Sequence, residues 1–185
     1  MTKNIRYALI LLAICGVAVF FLALTNSITA PVIEEMDHQN RLKALEAVSG
    51  GFEIGEQEVV DGQPYVTYRI DLSEGGNAAG WILGLKSAGY GGEMTLVASY
   101  TPDGVMQYAQ LLGHSETPGL GKKAEESWYM EKFKNTGGQQ PVPTSKAMLS
   151  ADDAQAISGS SVTFTAIARA IAGGSDYVKS LGGAQ

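Results

Sequence analysis

A stretch of small hydroxyl residues near the C-terminus has the residue types best suited to chemistry in this chain. Residues 157–165 read ISGSSVTFT and directly precede an apolar run with helical spacing. The first turn of a helix leaves several backbone N–H groups without partners, and these groups can surround a phosphate. Ser and Thr also occur at helix starts simply as caps. The stretch therefore indicates either a phosphate site or a capped helix start, in which Ser158 or Ser160 is the cap.

Two other segments carry candidate polar chemistry. Residues 114–121 read HSETPGLG, in which Glu116 could be an acid or base, a ligand, or a solvated loop carboxylate, the commonest role of an isolated Glu. Residues 89–92 read GYGG and predict a tight turn. Neither GxGxxG nor GxxxxGK[ST] occurs, which excludes the ordinary dinucleotide and P-loop motifs.

The composition gives little support to a metal site or to a catalytic Ser-His-Asp triad. His38 and His114 are the only histidines, so a metal cluster or a Ser-His-Asp triad would depend on His114 alone. We therefore predict no metal site and no catalytic residue. The net charge of −6 also argues against a nucleic-acid partner.

The elements that must position these segments form an antiparallel sheet with flanking helices, an α+β fold. Hydrophobic alternation or apolar runs predict strands at residues 65–70, 80–85, 94–100 and 105–112, with a turn at 101–104. Predicted strands and helices do not alternate along the chain, so the sequence does not suggest a Rossmann fold. A short helix is predicted from Ser150 to Ile157, and a C-terminal helix that Gly173 and Gly174 would end.

An apolar segment at the N-terminus predicts a single membrane span. Residues 7–24 carry no charge, and eighteen helical residues reach ~27 Å, close to the thickness of a hydrocarbon core. A secretory signal peptide is the alternative, but the run is long and Pro31 would be a poor first mature residue. Lys3 and Arg6 precede the span and acidic residues follow it, which predicts a cytoplasmic N-terminus and an extracytoplasmic main domain.

A second helix is expected directly after the span. Thr29 can cap a helix with Pro31 in its first turn, and residues 31–49 carry a loose apolar stripe. This helix is either a stalk lying against the outer domain or a solvated linker. The predicted organisation is a cytoplasmic N-terminus and span at 1–28, a stalk at 29–50 and an extracytoplasmic domain at 51–185.

These features in this order, from the N-terminal span through GYG and HSETPGLG to SGSSVT, resemble the G subunit of the Rnf electron-transport complex. More broadly, they resemble the FMN-binding domain shared with the C subunit of the sodium-pumping NADH:quinone reductase. The resemblance covers nearly the whole chain. Residues 85–87 read LKS, whereas the sodium-pump protein has a Leu-Trp-Ser pattern, and this chain is also short. Both departures favour the Rnf type.

The resemblance implies that FMN is joined through a phosphoester to the last threonine of a pattern reading roughly [SD]-G-[AS]-[ST]-x-T. Ser158 and Gly159 set the register of that pattern, Ser160 and Ser161 fill its small positions, and Thr163 is the acceptor. Thr165 is out of register. A separate flavin transferase, taking FMN from FAD with magnesium, is implied for maturation.

Other flavin contacts are implied by the same resemblance. Glu116, Thr117, Leu120 and Gly121 would surround the isoalloxazine and ribityl parts, Tyr90 and Gly91 would line the pocket, and Lys146 would lie near the phosphate or the ring. The implied function is electron transfer within an ion-translocating complex of the cytoplasmic (inner) membrane. The implied partners are the other subunits of that complex and the membrane lipid. A pilin-like structural subunit and an anchored binding module without a cofactor are the alternatives from other classes.

Overall fold

The computed structural model describes residues 3–182 and begins with one long helix, α1 (Lys3–Ser49). The chain divides into two compact units, Met1–Arg41 and Leu42–Gln185. In the first unit, α1 is long and apolar enough to cross a membrane, and its large apolar side chains, such as Leu12 and Leu22, are exposed. This exposed apolar surface supports the predicted single membrane span.

The predicted helix start at Thr29 is wrong. Pro31 lies inside α1, and the Thr29 hydroxyl donates to the Thr25 carbonyl, 3.0 Å away, instead of capping a new helix. Proline removes one backbone hydrogen bond from a helix interior without necessarily ending the helix. The apolar stripe predicted for the stalk helix is buried only at its C-terminal end, where Ala44, Leu45 and Val48 pack into the core of the second unit.

The second unit is built on a five-stranded antiparallel sheet in which each strand pairs with the next along the chain. The strands are β1 (Glu53–Val59), β2 (Val66–Glu74), β3 (Asn77–Ala88), β4 (Glu93–Tyr100) and β5 (Met106–Gly113). The predicted α+β class is confirmed, and the four strands anticipated from the sequence correspond to β2–β5. All seven residues of β1 are exposed, which is why no apolar alternation signals this edge strand in the sequence.

The two faces of the sheet bury different elements, because successive side chains along a strand point to opposite sides. One face carries Leu96 and Tyr100 of β4 and packs on α4 (Ser161–Gly182). The other carries Val97 and packs on the last turns of α1. Short helices α2 (Ser127–Met130) and α3 (Ala151–Ala156) and three 3₁₀ turns connect β5 to α4; the turns are Gly121–Glu125, Glu131–Phe133 and Lys146–Met148.

The predicted end of the C-terminal helix at Gly173 and Gly174 is also wrong, because α4 continues through both residues. The two glycines allow close packing. A Cβ on Gly173 would lie 2.5 Å from the Tyr65 ring, and one on Gly174 would lie 2.5 Å from the Tyr100 hydroxyl. That hydroxyl donates to the Ile171 carbonyl at 3.0 Å, and burial raises its pKa, which keeps it protonated.

Helix α3 begins with the predicted cap and is tied to the preceding segment by an ion pair. The Asp153 backbone N–H donates to Ser150 Oγ at 3.1 Å, and Lys132 Nζ contacts Asp153 Oδ1. The hydrogen bond from Lys132, followed by the one from the Ser150 hydroxyl, lowers the Asp153 pKa. Because the Asp153 pKa is lower in the folded state, the ionised carboxylate stabilises the folded protein relative to the unfolded chain.

We expect Asp153→Asn to weaken the acid dependence of unfolding. The stabilisation from ionised Asp153 is present above the ordinary pKa of about 3.9 and is lost as pH falls through the lower folded-state pKa. Urea midpoints of the full chain in detergent, measured from pH 6 down to pH 2, should therefore converge for wild type and variant at low pH. Asp152→Asn in the same helical turn is the matched control. Identical pH profiles for the two variants would contradict a role for the Lys132 pair.

Candidate functional site

A pocket of about 420 Å³ opens where the turn after β3, the loop after β5 and the start of α4 meet. This volume falls within the range of cofactor and small-molecule sites, roughly 300–1,000 Å³. Ten residues line it: Tyr90, Glu116, Thr117, Leu120, Gly121, Gly159, Ser160, Ser161, Val162 and Thr163. Nine of them were singled out in the sequence. The addition is Val162, whose signal is an apolar side chain left exposed in the first turn of α4.

One carboxylate joins the three segments at the base of the pocket. The Thr163 hydroxyl donates to Glu116 Oε2 at 2.7 Å, and the Gly91 backbone N–H donates to Glu116 Oε1 at 3.0 Å. Thr163 is 1% exposed and Glu116 is 6% exposed. Glu116 is therefore not a solvated loop carboxylate, and Thr163 is held in one orientation by a charge-assisted hydrogen bond.

His114 fixes the main chain of the loop that carries Glu116. The Glu116 backbone N–H donates to His114 Nδ1 at 3.1 Å, and Nε2 lies 2.7 Å from Glu125 Oε1. Because Nδ1 accepts a hydrogen bond here, the ring proton resides on Nε2 and is donated to Glu125. His114 thus positions the loop, a role that the sequence did not indicate.

The start of α4 presents free backbone donors to the pocket. The backbone N–H groups of Ser161, Val162 and Thr163 have no acceptor within residues 3–182, as expected for the first turn of a helix. The predicted side-chain cap is not formed: no described N–H of α4 bonds to Ser158 Oγ or Ser160 Oγ, and the Ser160 hydroxyl donates to the Ile157 carbonyl at 2.9 Å. Uncapped N–H groups and the helix dipole together favour an anion at this position.

Tyr129 lies behind the hydroxyl stretch. Its hydroxyl is 3.4 Å from Ser160 Oγ, and burial raises the pKa of Tyr129 to about 12. The phenol stays protonated at neutral pH and lies within hydrogen-bond distance of the Ser160 hydroxyl.

Three further residues singled out in the sequence, Gly91, Ser158 and Lys146, lie outside the pocket lining, although the Gly91 N–H donates to Glu116 in that lining. Ser158 is exposed, and its carbonyl accepts a hydrogen bond from Lys123 Nζ at 3.4 Å. Lys146 begins a 3₁₀ turn and does not line the pocket. Its position near the phosphate or the ring of a flavin stays a prediction. Among the described residues that do line the pocket, none is lysine or arginine, so backbone N–H groups would have to supply most of the positive potential.

Close packing around Glu116 depends on glycine. A Cβ on Gly121 would lie 2.7 Å from Thr163 Oγ1 and inside van der Waals contact of Glu116 Oε2. A Cβ on Gly89 would collide with Glu116 Oε1, and one on Gly91 with the Ser115 carbonyl. The glycines of both loops therefore allow the backbones to approach a single carboxylate.

Gly121→Ala should separate Glu116 from Thr163 and destabilise the fold by about 1–3 kcal/mol, the usual cost of overpacking. Unfolding midpoints in urea would show the loss. Gly182→Ala is the control, because its Cβ would meet no atom closer than 3.8 Å, and we expect a change within about 0.5 kcal/mol. Equal urea midpoints for wild type and Gly121→Ala would contradict this expectation, because the loop that carries Glu116 and Gly121 would then accommodate the added methyl group without loss of stability.

The residues present fit a flavin mononucleotide. Its phosphate matches the free N–H groups at the start of α4, and its planar ring matches exposed apolar surface at the pocket mouth. Tyr90, Leu120 and Val162 supply that surface, with 76%, 45% and 55% of their areas exposed. Exposed apolar side chains around a polar base are typical of a cofactor pocket.

The fold and the pocket define a class of protein: a single-pass membrane protein that carries an FMN-binding domain. Residues 89–174 match the FMN-binding domain family, and residues 1–48 match the RnfG N-terminal region. The chain belongs to the family of G subunits of Rnf-type ion-translocating oxidoreductase complexes.

Relatives from three organisms carry this description. The G subunit of the Na(+)-translocating ferredoxin:NAD(+) oxidoreductase complex of Acetobacterium woodii is 30% identical over 177 residues, covering 88% of this chain and 85% of the relative. The G subunit of the ion-translocating oxidoreductase complex of Methanosarcina acetivorans is 26% identical over 174 residues, covering 91% and 90%. The G subunit of a proton-translocating ferredoxin:NAD(+) oxidoreductase complex of Clostridium ljungdahlii is 28% identical over 98 residues, covering 53% and 52%.

Proposed function

We propose that this chain relays electrons within an Rnf-type complex through FMN joined by a phosphoester to Thr163. One observation carries the choice of Thr163. Of the hydroxyl side chains in residues 158–165, that of Thr163 both lines the pocket and donates to a carboxylate. The free N–H groups lie in the same helical turn, where they would stabilise the single negative charge of a phosphodiester by roughly 0.3–2 kcal/mol.

The flavin supplies the redox chemistry when bound, and the chain orients it and limits its contact with water. Tyr90, Leu120 and Val162 offer apolar contact to the ring, while Thr117 and Glu116 offer polar contacts. Electron transfer itself does not require any side chain of this protein to act as an acid or a base.

The proposed setting is a complex that couples electron transfer to ion translocation across the cytoplasmic membrane, with the other subunits as electron donors and acceptors. Relatives named as ferredoxin:NAD(+) oxidoreductase subunits support this setting. The positive residues before the span favour a cytoplasmic N-terminus, so residues 1–28 would anchor, 29–50 would form a stalk and 51–185 would lie outside. A covalent tether would prevent loss of the flavin to the surrounding solution.

The test is attachment of flavin to the full chain. The protein is co-expressed with a flavin transferase, which takes FMN from FAD with magnesium, and is then denatured and separated on a gel. We expect a fluorescent band, a mass increase of one FMN less one water, and a modified peptide that contains Thr163. A dark band, with a transferase that labels another flavoprotein in the same cells, would overturn the proposal.

A further inference from the structure

The hydrogen bond between Thr163 and Glu116 places a base against the hydroxyl that is to be modified. A threonine hydroxyl is a weak nucleophile, and an adjacent general base within about 2.6–3.2 Å activates it. The Thr163 Oγ1 to Glu116 Oε2 distance is 2.7 Å, with the hydroxyl as the donor. The proton that must leave during attachment therefore already points at a carboxylate oxygen.

We propose that Glu116 is the general base for attachment of the flavin phosphate, and that it thereby selects Thr163 among the neighbouring hydroxyls. This inference rests on the proposed covalent attachment at Thr163. Glu116 contacts the reacting oxygen directly, so its role is catalytic in the attachment step and separate from the electron transfer that follows.

The step balances with FAD as the phosphoryl donor. A bond forms between Thr163 Oγ1 and the phosphorus on the flavin side of the pyrophosphate. The bond from that phosphorus to the bridging oxygen breaks, and AMP leaves with the bridging oxygen. The Thr163 proton passes to Glu116 Oε2 and from there to water. No oxidation or reduction occurs.

The hydroxyls of Ser160 and Thr165 lack this arrangement. Ser160 Oγ donates to the Ile157 carbonyl, and a carbonyl oxygen cannot hold the proton of an attacking hydroxyl. Thr165 faces a separate pocket of about 490 Å³, whose described lining contains Arg169 but no aspartate or glutamate. Glu116 therefore explains the choice of one hydroxyl by proton acceptance as well as by position.

The carboxylate is also held in place for this task. Gly91 N–H fixes its second oxygen, His114 fixes its main chain, and Gly121 packs against both reacting partners. A fixed base avoids reorganisation at the moment of reaction. After transfer, Thr163 no longer has a proton to donate, so its hydrogen bond to Glu116 is lost.

The test compares initial rates of flavin attachment to purified full-length chain in detergent, with transferase, FAD and magnesium. Glu116→Gln keeps the shape of the side chain, and its amide oxygen can still accept from the Gly91 N–H while its NH2 group donates to Thr163 Oγ1, but it cannot accept the proton. We expect its attachment kcat to fall by about 10²–10⁴-fold with a small change in KM, as for loss of a general base. Glu126→Gln, an exposed neighbour in the same segment, should react at the wild-type rate.

A second variant separates proton acceptance from structure. Glu116→Asp shortens the side chain but keeps a carboxylate, so it should react faster than Glu116→Gln although it fits the site less well. A wild-type rate for Glu116→Gln, or a slower rate for the Asp variant than for the Gln variant, would overturn the role of Glu116. Either result would leave flavin attachment to the wild-type chain intact, whereas failure of the wild-type chain to take up flavin would refute the proposed function itself.

Discussion

Thr163→Val should remove covalent flavin from the protein completely, while Thr165→Val should keep it. Valine matches threonine in shape but lacks the oxygen that forms the phosphoester. The two positions differ in their surroundings: Thr163 is buried against Glu116, whereas Thr165 is half-buried and lines the neighbouring pocket. The measurement is in-gel fluorescence of denatured protein after co-expression with a flavin transferase, normalised to protein stain.

Loss of the Thr163 hydroxyl also removes a donor from buried Glu116, and this loss costs about 1–3 kcal/mol by itself. Thr163→Ser separates that effect from the chemistry, because serine restores both the donor and the nucleophile. We expect Thr163→Ser to carry covalent flavin. Wild-type fluorescence on the Thr163→Val band, with the modified peptide mapped to another hydroxyl, would show that the acceptor has been assigned to the wrong residue.

Phe164→Ala should destabilise the flavin-free protein by about 3–5 kcal/mol, the usual cost of removing a buried aromatic side chain. Phe164 is fully buried, its ring stacks on Phe133 at a centroid distance of 4.9 Å, and the Tyr129 ring packs against it edge-on at 6.1 Å. Truncation leaves a cavity that the sheet and α4 cannot close without moving. The measurement is the free energy of unfolding from urea titration in detergent.

The same substitution links the core to the site, because Phe164 directly follows Thr163 on α4. A shift of the first turn would move Thr163 away from Glu116, so covalent flavin yield should fall along with stability. Arg169→Ala, at an exposed position of the same helix, is the control, with an expected change within about 0.5 kcal/mol. A loss below about 1 kcal/mol for Phe164→Ala would contradict the tight packing seen around its ring.

Local sequence patterns were sufficient for four of the five strands of the described sheet and for the apolar segment of α1. Strands β2–β5 alternate or carry apolar runs because each buries side chains against a helix, and this burial leaves its period in the sequence. The edge strand β1 buries nothing and left no such signal. Likewise, the motif register of residues 158–163 distinguishes Thr163 from Thr165 without any knowledge of tertiary contacts, because the order of residues in a motif is itself a property of sequence.

Tertiary structure decided which of several local conformations and roles each residue adopts. Gly173 and Gly174 have the pattern of a helix stop, yet they lie inside α4 because Tyr65 and Tyr100, distant in sequence, pack against them. Glu116 has the pattern of a solvated carboxylate, yet Thr163 and Gly91 both donate to it. The sequence by itself determined which residues could bind and react with a phosphate. Only the packing of three separate segments could bring the Glu116 carboxylate within hydrogen-bond distance of the Thr163 hydroxyl and the Gly91 N–H, because those distances depend on contacts that no local pattern encodes.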